Sequence, residues 1–170
     1  MKWHDLTDDA CPLARAMGVI GDRWTLLILR ECFLGVRRFD SFQKRLGVTR
    51  HLLAERLKRL ETMGLLERRP YQERPLRHEY RLTASGKEFA PVLLAMQDWA
   101  QRNLPSPVPT PFTFVTRDSG EKVDPVLTDR HSGAELNHRS VLMAPAAASH
   151  AQDAAKEPKD PESPSAAQAP

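Results

Sequence analysis

The amino-acid sequence predicts a mainly α-helical domain with one small β-hairpin, an α+β fold of the winged helix-turn-helix type. Apolar side chains recur at helical spacing in several segments that begin at capping residues and end at glycines. Gly47 falls between two of these segments and leaves room only for a sharp turn. The strand-like segments 65–69 and 78–82 then flank a turn that contains Pro70 and Pro75, which predicts the hairpin wing.

The first two predicted helices form the base of the domain. Pro12 occupies a favourable first helical position, and the helix that it starts places apolar side chains on one face up to Ile20. Asp22 is a good N-cap for the next helix, whose segment 24–33 is apolar nearly all round. A helix of that composition is expected at the centre of a domain, and Gly35 is expected to end it.

The helix-turn-helix is predicted over the segment that follows. Residues 37–39 form at most a short strand, and Asp40 is expected to cap the first helix of the motif. After the turn at Gly47, Thr49 is expected to cap the second helix. The inward face of that second helix carries leucines at spacings of four and three residues, namely Leu53, Leu57 and Leu60.

The last helix of the domain is predicted to begin at Thr83 or Ser85 and to carry a broad apolar face. Pro91 is expected either to kink this helix or to start its regular part. The prolines between 105 and 111 predict an extended connector, so we place a domain boundary after Leu104.

This boundary divides the chain into three segments. Residues 1–104 are expected to form the folded domain, residues 105–143 a linker with a small extension, and residues 144–170 a disordered tail rich in alanine and proline. No stretch is long and apolar enough to cross a membrane, and the N-terminus is unlike a signal peptide, so we expect a cytoplasmic protein. The two cysteines are too few for a disulfide framework.

The basic residues are concentrated in one part of the chain. The whole sequence carries a formal net charge of +3, whereas residues 37–81 alone hold 13 Lys and Arg against 6 Asp and Glu. Such a local excess is typical of a surface that meets a polyanion, although a solvated basic face would look similar. Because the excess coincides with the predicted helix-turn-helix and wing, we expect double-stranded DNA as the partner.

The outward arc of the second helix of the motif supplies the candidate base-reading residues. With its leucines turned inward, Thr49, Arg50 and His51 lie at the helix start, where side chains approach base edges. Other candidates for DNA contact are expected to bind phosphates, with Arg56 at the margin of the arc. They are Lys44, Arg45, Arg56, Lys58, Arg74 and Arg77. Arg68 and Arg69 are candidates too, but for them the alternative of a merely solvated side chain is stronger, because one of two neighbours on a strand must point away from the other.

Seven short motifs between residues 10 and 103 carry a family resemblance. They are Cys11-Pro12, Gly21-Asp22-Arg23-Trp24-Thr25, Ile28-Leu29-Arg30, Gly35-Val36-Arg37-Arg38-Phe39, Leu53-Ala54-Glu55-Arg56-Leu57, Gly64-Leu65 and Glu79-Tyr80-Arg81-Leu82-Thr83. Together these motifs resemble the HxlR-type winged-helix regulators of bacteria, a branch close to the MarR-like proteins. The resemblance implies a homodimer formed through the terminal helices, which acts at a promoter with two half-sites as a repressor or an activator. We expect a repressor.

A dimer also has a physical argument. The terminal segments hold more apolar side chains than one small core is expected to cover. These are Leu6, Leu13, Val92, Leu93, Met96 and Trp99. The alternative is that they pack on Trp24 and its neighbours within one chain. A two-fold dimer would place its two DNA-reading helices about one helical turn, roughly 10 base pairs, apart.

Cys11 is a candidate redox sensor. It precedes Pro12 at a helix start, where unpaired amide groups and the helix dipole favour a thiolate. The resemblance points the same way, because in some members of the family a cysteine at the matching position reports oxidants or electrophiles. A small-molecule or electrophile effector is therefore a candidate partner, and an unreactive cap or buried hydrophobe is the alternative. Cys32, within the apolar helix, is expected to belong to the core.

The extension contains the same small turn twice, Thr116-Arg117-Asp118-Ser119-Gly120 and Asp129-Arg130-His131-Ser132-Gly133. Each copy has the shape of a zinc knuckle, and a cysteine-rich extension in some members of the family looks similar. The four positions expected to hold ligands carry hydroxyls and one carboxylate but no thiolate. They are Thr116, Ser119, Asp129 and Ser132. We therefore expect a degenerate zinc-ribbon-like extension without metal that still forms short strands, or alternatively a chance repeat in a flexible linker.

Neither an enzyme nor a cofactor is expected. The six histidines are scattered, and the sequence contains no metal-ligand spacing, nucleophile elbow or phosphate-binding loop. The main alternative to a DNA-binding regulator is a non-catalytic protein-interaction module with a solvated basic face. Salt dependence separates the two, because binding through phosphate contacts weakens steeply as salt rises whereas an apolar interface hardly responds.

Overall fold

The structure, a computed structural model, describes residues 6–144, and within them it contains six helices and one two-stranded sheet. In chain order the elements are α1 (Pro12–Ile20), α2 (Arg23–Phe33), α3 (Phe39–Leu46), α4 (Arg50–Thr62), β1 (Leu66–Glu73), β2 (Leu76–Leu82), α5 (Ala84–Lys87) and α6 (Ala90–Asn103). This order confirms the predicted winged helix-turn-helix, with α3 and α4 as the motif and the hairpin as the wing. The tail predicted to be disordered lies outside the described residues from residue 145 onward.

None of the six helices has the length and apolar composition that a bilayer-spanning helix needs, as far as residues 6–144 show. The longest of them, α6, has 14 residues.

Side-chain caps start α2 and α4 where the sequence predicts them. The Asp22 carboxylate accepts hydrogen bonds from the backbone N–H groups of Trp24 and Thr25, each at 3.0 Å. The Thr49 hydroxyl accepts one from the backbone N–H of Leu52 at 3.3 Å. Both caps satisfy amide donors that the first turn of a helix leaves unpaired, which is why the two helices begin at these positions.

The start of α3 corrects the sequence prediction. The helix begins at Phe39, so Asp40 lies inside its first turn instead of capping it, and the residue at the N-cap, Arg38, makes no side-chain cap bond. Asp40 can still favour the helix, because a negative charge in the first turn opposes the positive end of the helix dipole. Gly47 ends α3 with a φ of 66°, a left-handed conformation that glycine adopts without steric cost, and the predicted sharp turn is confirmed.

The core lies where α2, α3, α4 and the first residue of β1 meet. Its most deeply buried apolar side chains are at most 2% exposed; they are Ile28, Leu29, Phe42, Leu53, Leu57, Leu60 and Leu66. Three of these seven belong to α4, so the predicted inward leucine face is confirmed. Each fully buried side chain of this size contributes about 1.5–3 kcal/mol, and the core therefore fixes which side of α4 faces outward.

The wing is longer than the sequence indicates. The antiparallel pairing runs from Leu66 opposite Leu82 to Glu73 opposite Leu76, with one irregularity next to Pro70. The extra pairs form because a hairpin propagates by backbone hydrogen bonds once its base is anchored, and here Leu66 anchors it in the core. The polar tip needs no apolar pattern of its own.

Residues 37–39, predicted to form at most a short strand, contact the wing. The structure forms only one bridge there, between Arg38 and Glu79, and the Tyr80 N–H donates to the Arg37 carbonyl at 2.8 Å. The predicted strand is thus reduced to a single contact, because α3 already begins at Phe39. This contact ties β2 to the loop that precedes the helix-turn-helix.

The two C-terminal helices meet the sequence prediction in part. Thr83 caps the short α5 by accepting a hydrogen bond from the Gly86 N–H at 3.0 Å. Pro91 lies in the first turn of α6, so it starts the regular helix and does not kink it. No residue of α6 is buried, and Met96 and Trp99 are 46% and 55% exposed.

Residues 105–125, which follow the boundary that we place after Leu104, contact the first part of the chain. The described chain forms two compact units, of which the first runs to Pro125 and the second begins at Val126. Residues 105–125 belong to the first unit because they pack back on it: the Gln97 side chain donates to the Phe112 carbonyl at 3.3 Å, and Arg30 lies 5.3 Å from the centre of the Phe112 ring.

Both predicted knuckle-shaped turns are formed, one within each unit. The Gly120 N–H donates to the Thr116 carbonyl at 3.1 Å, and the Gly133 N–H donates to the Asp129 carbonyl at 2.8 Å. Both glycines have a positive φ. The short strands expected around the turns are reduced to one isolated bridge each, which are Val115 with Lys122 and Thr128 with Glu135.

Candidate nucleic-acid interface

The outer face of α4 carries the predicted cationic arc. Arg50, His51 and Lys58 are exposed, whereas the three inward leucines of the same helix are fully buried. Lys58 makes one weak ion pair, 3.5 Å from Glu61, and remains 74% exposed at its side chain. The arrangement leaves basic groups on a rigid helix free to meet a ligand that approaches from solvent.

Arg50 is oriented by α3 before any ligand is present. Its guanidinium Nη1 lies 3.3 Å from both Asp40 Oδ1 and Gln43 Oε1, and its Cζ atom lies 5.0 Å from the centre of the Phe39 ring. The side chain is nevertheless 69% exposed. Arg50 therefore stands at the surface in one preferred direction, held by long contacts that a stronger acceptor can replace.

Thr49 and His51, the two neighbours of Arg50, differ in which hydrogen-bonding groups remain available to a ligand. The Thr49 hydroxyl already accepts the capping bond from Leu52, so its hydrogen, its second lone pair and its methyl group are available to a ligand. His51 is exposed, and its ring makes no hydrogen bond or ion pair within the described residues.

Arg56, predicted to contact DNA from the margin of the arc, also has a structural partner. Its side chain is 19% exposed, and its Nε lies 3.1 Å from Asp22 Oδ1. Its Nη1 lies 2.7 Å from the carboxylate of Glu55. The structure thus shows Arg56 joining α4 to the start of α2.

The Asp22–Arg56 pair is visible in the pKa values of both groups. Partial burial by itself raises the pKa of Asp22, but hydrogen bonds from Thr25 and the Arg56 charge outweigh it and hold this pKa below its ordinary value. Burial likewise lowers the pKa of Arg56, and the carboxylates of Asp22 and Glu55 more than compensate and raise it. Both charges are therefore stabilised by the fold.

Arg45 also has a partner that the sequence does not reveal. It ion-pairs with Glu31, a carboxylate of α2 that is 1% exposed, and Arg30 approaches the same group at 2.6 Å. The predicted phosphate contact of Arg45 therefore competes with a structural ion pair that fixes α3 on α2. Lys44, one position earlier, is exposed and makes no ion pair among the described residues.

The wing and the helix-turn-helix border a cleft of about 570 Å³, and arginines from both of them line it. Arg38, Arg50, Arg68 and Arg77 line this cleft, which we call the basic cleft. Arg74, at the wing tip, is exposed beside it. Only Asp40 among the residues that line the cleft carries a negative charge, so the cleft suits a polyanion.

Arg38 is a further candidate contact, which is not among the residues predicted from the sequence to bind DNA. Its guanidinium lies 4.6 Å from the centre of the Tyr71 ring and faces the basic cleft from the N-cap of α3. The adjacent pair Arg37-Arg38 directly before a helix was the available signal, because a helix start and a guanidinium both attract phosphate. Arg69, in contrast, pairs with Glu67 at 2.6 Å.

The turns of the extension hold themselves together at the positions where a zinc knuckle has its ligands. The hydroxyls of Thr116 and Ser119 lie 2.5 Å apart, and the Ser132 hydroxyl donates to the Asp129 carboxylate at 2.6 Å. Hydrogen bonds from Ser132 keep the pKa of Asp129 below its ordinary value. No group of three or more metal-ligating side chains occurs within residues 6–144.

The two cysteines lie in different surroundings. Cys11 is exposed at the N-cap of α1, and its backbone N–H donates to the Asp9 carboxylate at 2.8 Å. Cys32 is half-buried against the core. Burial, together with the nearby charge of Glu31, raises the pKa of its thiol to about 12, so Cys32 is a neutral apolar group.

A recognition helix with an exposed basic arc, supported by a basic wing, defines the class of winged helix-turn-helix DNA-binding transcriptional regulators. Within this class, the model of the HxlR-like helix-turn-helix family matches residues 19–108, and the chain belongs to that family.

Known proteins agree with this assignment. The HTH-type transcriptional regulator MT3179 of Mycobacterium tuberculosis is 41% identical over 133 residues, which cover 78% of this chain and 84% of that protein. The crystal structure of PA1607 is similar with a TM-score of 0.74 and 34% identity, over 82% of this chain and 98% of that one. The redox regulator HypR in its oxidized form has a TM-score of 0.52 and 30% identity, over 56% of this chain and 100% of its own.

Proposed function

We propose that the protein is a homodimeric, sequence-specific DNA-binding regulator that represses transcription. The observation that carries this proposal is the orientation of α4, whose inward leucines Leu53, Leu57 and Leu60 are fully buried while its basic residues are exposed. These are Arg50, His51 and Lys58. An exposed basic helix of this kind fits the major groove of B-DNA, which admits one α-helix. Because the core fixes its orientation, α4 reaches the groove without rearrangement.

The contacts divide into two groups by their position. Thr49, Arg50 and His51 at the start of α4 would read base edges, and Arg50 would pair with guanine through both of its terminal nitrogens. Lys44, Lys58, Arg38, Arg74 and Arg77 would bind phosphates and set the register without reading sequence. Arg45 and Arg56 would support the interface mainly by holding α3 and α4 on α2.

The homodimer is supported by apolar side chains that a single chain leaves uncovered. Leu13 of α1 is 63% exposed, and Val92, Met96 and Trp99 of α6 are 42–55% exposed. Apolar surface of this kind on terminal helices is favourable to bury against a second copy. A two-fold pair would present two recognition helices to half-sites about 10 base pairs apart.

Cys11 would link the regulator to an oxidant or electrophile. It is exposed at the start of α1, a helix that also carries Leu13 of the proposed dimer surface, and the similar protein HypR is a redox regulator. Alkylation with N-ethylmaleimide is expected to change the DNA affinity of the wild type but not of Cys11→Ser. Equal affinity of the wild type before and after complete alkylation would remove Cys11 from the mechanism.

The proposal is tested by selecting duplexes from a random library with the purified protein and measuring affinity for the selected sequence against salt. We expect a linear fall of log affinity with log salt, whose slope reports the number of phosphates contacted. In transcription assays, a selected site placed across a promoter should reduce transcript when the protein is added. Absence of binding to every duplex at low salt would leave the protein-interaction module as the better reading.

A further inference from the structure

A second cavity adjoins the basic cleft, and the two have Tyr80 in common. It has a volume of about 410 Å³ and is formed by the end of α2, this loop, the two strands of the wing, α5 and the turn at Arg117. The volume falls within the range of about 300–1,000 Å³ that small-molecule sites occupy. We call it the α2–wing cavity.

Part of the lining of the α2–wing cavity is apolar or aromatic, and we call this part the floor. It consists of Phe33, Val36 and Leu82, together with Cys32 and Tyr80. Because burial keeps the Cys32 thiol protonated, this sulfur adds polarizable apolar surface and no charge. A ligand that fills the cavity needs an apolar body.

The charged residues of the lining, which we call the rim, are five cations and one carboxylate, that of Glu67. Arg37, Lys87 and Arg117 are three of the cations, and their side chains make no hydrogen bond or ion pair within the described residues. They come from the α2–α3 loop, α5 and the extension, so the folded chain brings them together from three separate segments. Two further arginines on the rim, Arg69 and Arg81, are already paired with Glu67 and Glu79 at 2.6 Å.

From this combination we propose that the α2–wing cavity binds a small organic anion with a flat apolar body, such as an aromatic carboxylate. The apolar body would lie on Val36 and Leu82, and the carboxylate would accept hydrogen bonds from Arg37, Lys87 and Arg117. Guanidinium groups hold carboxylates in a bidentate geometry, which favours this anion over a spherical one. An inorganic phosphate would satisfy the rim alone and leave the apolar floor in contact with water.

The position of the cavity connects such a ligand to DNA binding, a consequence that rests on the proposed function. Tyr80 lines both this cavity and the basic cleft. Its backbone N–H donates to the Arg37 carbonyl at 2.8 Å, next to Arg38 of the cleft. A ligand held by Arg37 would therefore act on the contact that joins the wing to the helix-turn-helix, and its binding would alter DNA affinity.

Calorimetric titration of the full chain with 2-naphthoate, without DNA, tests the site. We expect saturable binding, and about tenfold weaker binding of 2-naphthamide, which keeps the apolar body but lacks the charge. Lys87→Ala and Arg117→Ala are each expected to weaken 2-naphthoate binding about tenfold. Lys122→Ala, which removes an exposed cation of the same extension outside this cavity, is the matched control and should leave binding unchanged.

Three results would overturn the proposal: no binding of 2-naphthoate at millimolar concentration, equal binding of the acid and the amide, or equal losses in Lys122→Ala and the two cavity variants. Displacement by inorganic phosphate at equal concentration would also overturn it, because the apolar floor would then contribute nothing. Release of 2-naphthoate by any random duplex would instead show that the cations of the rim belong to the DNA-binding surface.

If 2-naphthoate binds but no duplex does, the proposed ligand site is supported and the proposed function fails.

Discussion

The arginines and lysines between residues 37 and 81 differ in whether a carboxylate of the protein already pairs with them. Arg45 is paired with the buried Glu31 and Arg56 with Asp22, so each stabilises the packing of the helix-turn-helix on α2. Lys44 and Arg77 have no ion pair within residues 6–144 and remain exposed. An unpaired surface cation loses little when it binds a phosphate, whereas a paired one must first give up its partner. The free cations are therefore the better candidates for DNA contact.

Arg50→Ala and Lys44→Ala are expected to separate base reading from phosphate binding. Arg50→Ala removes a bidentate arginine and should reduce the free-energy difference between specific and random binding by about 1–3 kcal/mol. Lys44→Ala should weaken binding to all duplexes alike and lower the slope of log affinity against log salt by about 1. Fluorescence anisotropy on the selected and on a scrambled duplex measures both. Equal losses on the two duplexes for both variants would contradict the assigned roles.

Asp40→Asn is expected to strengthen DNA binding. The carboxylate lies 3.3 Å from Arg50 in the basic cleft, so it competes with DNA for this guanidinium and repels phosphates. Because the pair is exposed, the gain should stay within about 1 kcal/mol. Glu88→Gln removes the same charge from an exposed position outside the cleft and serves as the control. An equal gain in both variants would assign the effect to net charge alone.

At the scale of the elements, a single residue at the start of α2 both caps this helix and binds α4. Asp22 caps α2 and also holds Arg56 of α4, 3.1 Å away. Asn is as good a cap as Asp but carries no charge, so Asp22→Asn removes only the ion pair, whereas Asp22→Ala removes both contacts. Unfolding by urea should show a loss of about 1–2 kcal/mol for the alanine variant and a smaller one for asparagine.

The pH dependence of this difference follows from the lowered pKa of Asp22. A carboxylate whose pKa is lowered by folding stabilises the protein fully above its unfolded pKa, about 3.9, and loses that contribution as pH falls through the folded pKa. The stability gap between wild type and Asp22→Asn should therefore be constant at neutral pH and shrink below about pH 4. A gap that widens on acidification would show that the charge is not stabilising.

The short α5 depends on a close approach that only glycine allows. A Cβ atom on Gly86 would lie 2.1 Å from the backbone carbonyl oxygen of Leu65. Gly86→Ala must therefore push α5 away from the start of the wing, and we expect a loss of about 1–3 kcal/mol in unfolding free energy. Ser85→Ala, at the exposed neighbouring position, should change it by less than about 0.5 kcal/mol. Similar stabilities for the two variants would show that α5 adjusts freely.

For the molecule as a whole, the uncovered apolar residues of α1 and α6 predict assembly. Trp99→Glu should convert the proposed dimer into monomers, because a charge would have to be buried where the ring is now 55% exposed. Sedimentation velocity measures the state of assembly, and affinity for duplexes with one and two half-sites measures its consequence. Leu142→Glu, at a position 83% exposed in the second compact unit, is the control. A wild type that sediments as a monomer at micromolar concentration would refute the dimer.

Patterns along the chain predicted most of the elements and the basic outer face of α4. The leucine spacing of α4, the Asp22 and Thr49 caps and the turn at Gly47 all depend on neighbours within about four residues, which is why they can be recognised in the sequence. The misplaced cap at Asp40 and the shortened strand at 37–39 are errors of boundary. Such errors arise because the Arg38–Glu79 bridge and the start of α3 compete for the same few residues.

What the sequence determined by itself was the local order: which segments form helices, which side of α4 is polar, and that its polar side is basic. Only the tertiary structure decided which cations are free, because the partners of Arg45 and Arg56 lie 14 and 34 positions away along the chain. It also decided that three cations from separate segments meet at the α2–wing cavity. Ion pairs and cavities form between elements, so they depend on packing, and no spacing within one helix encodes them.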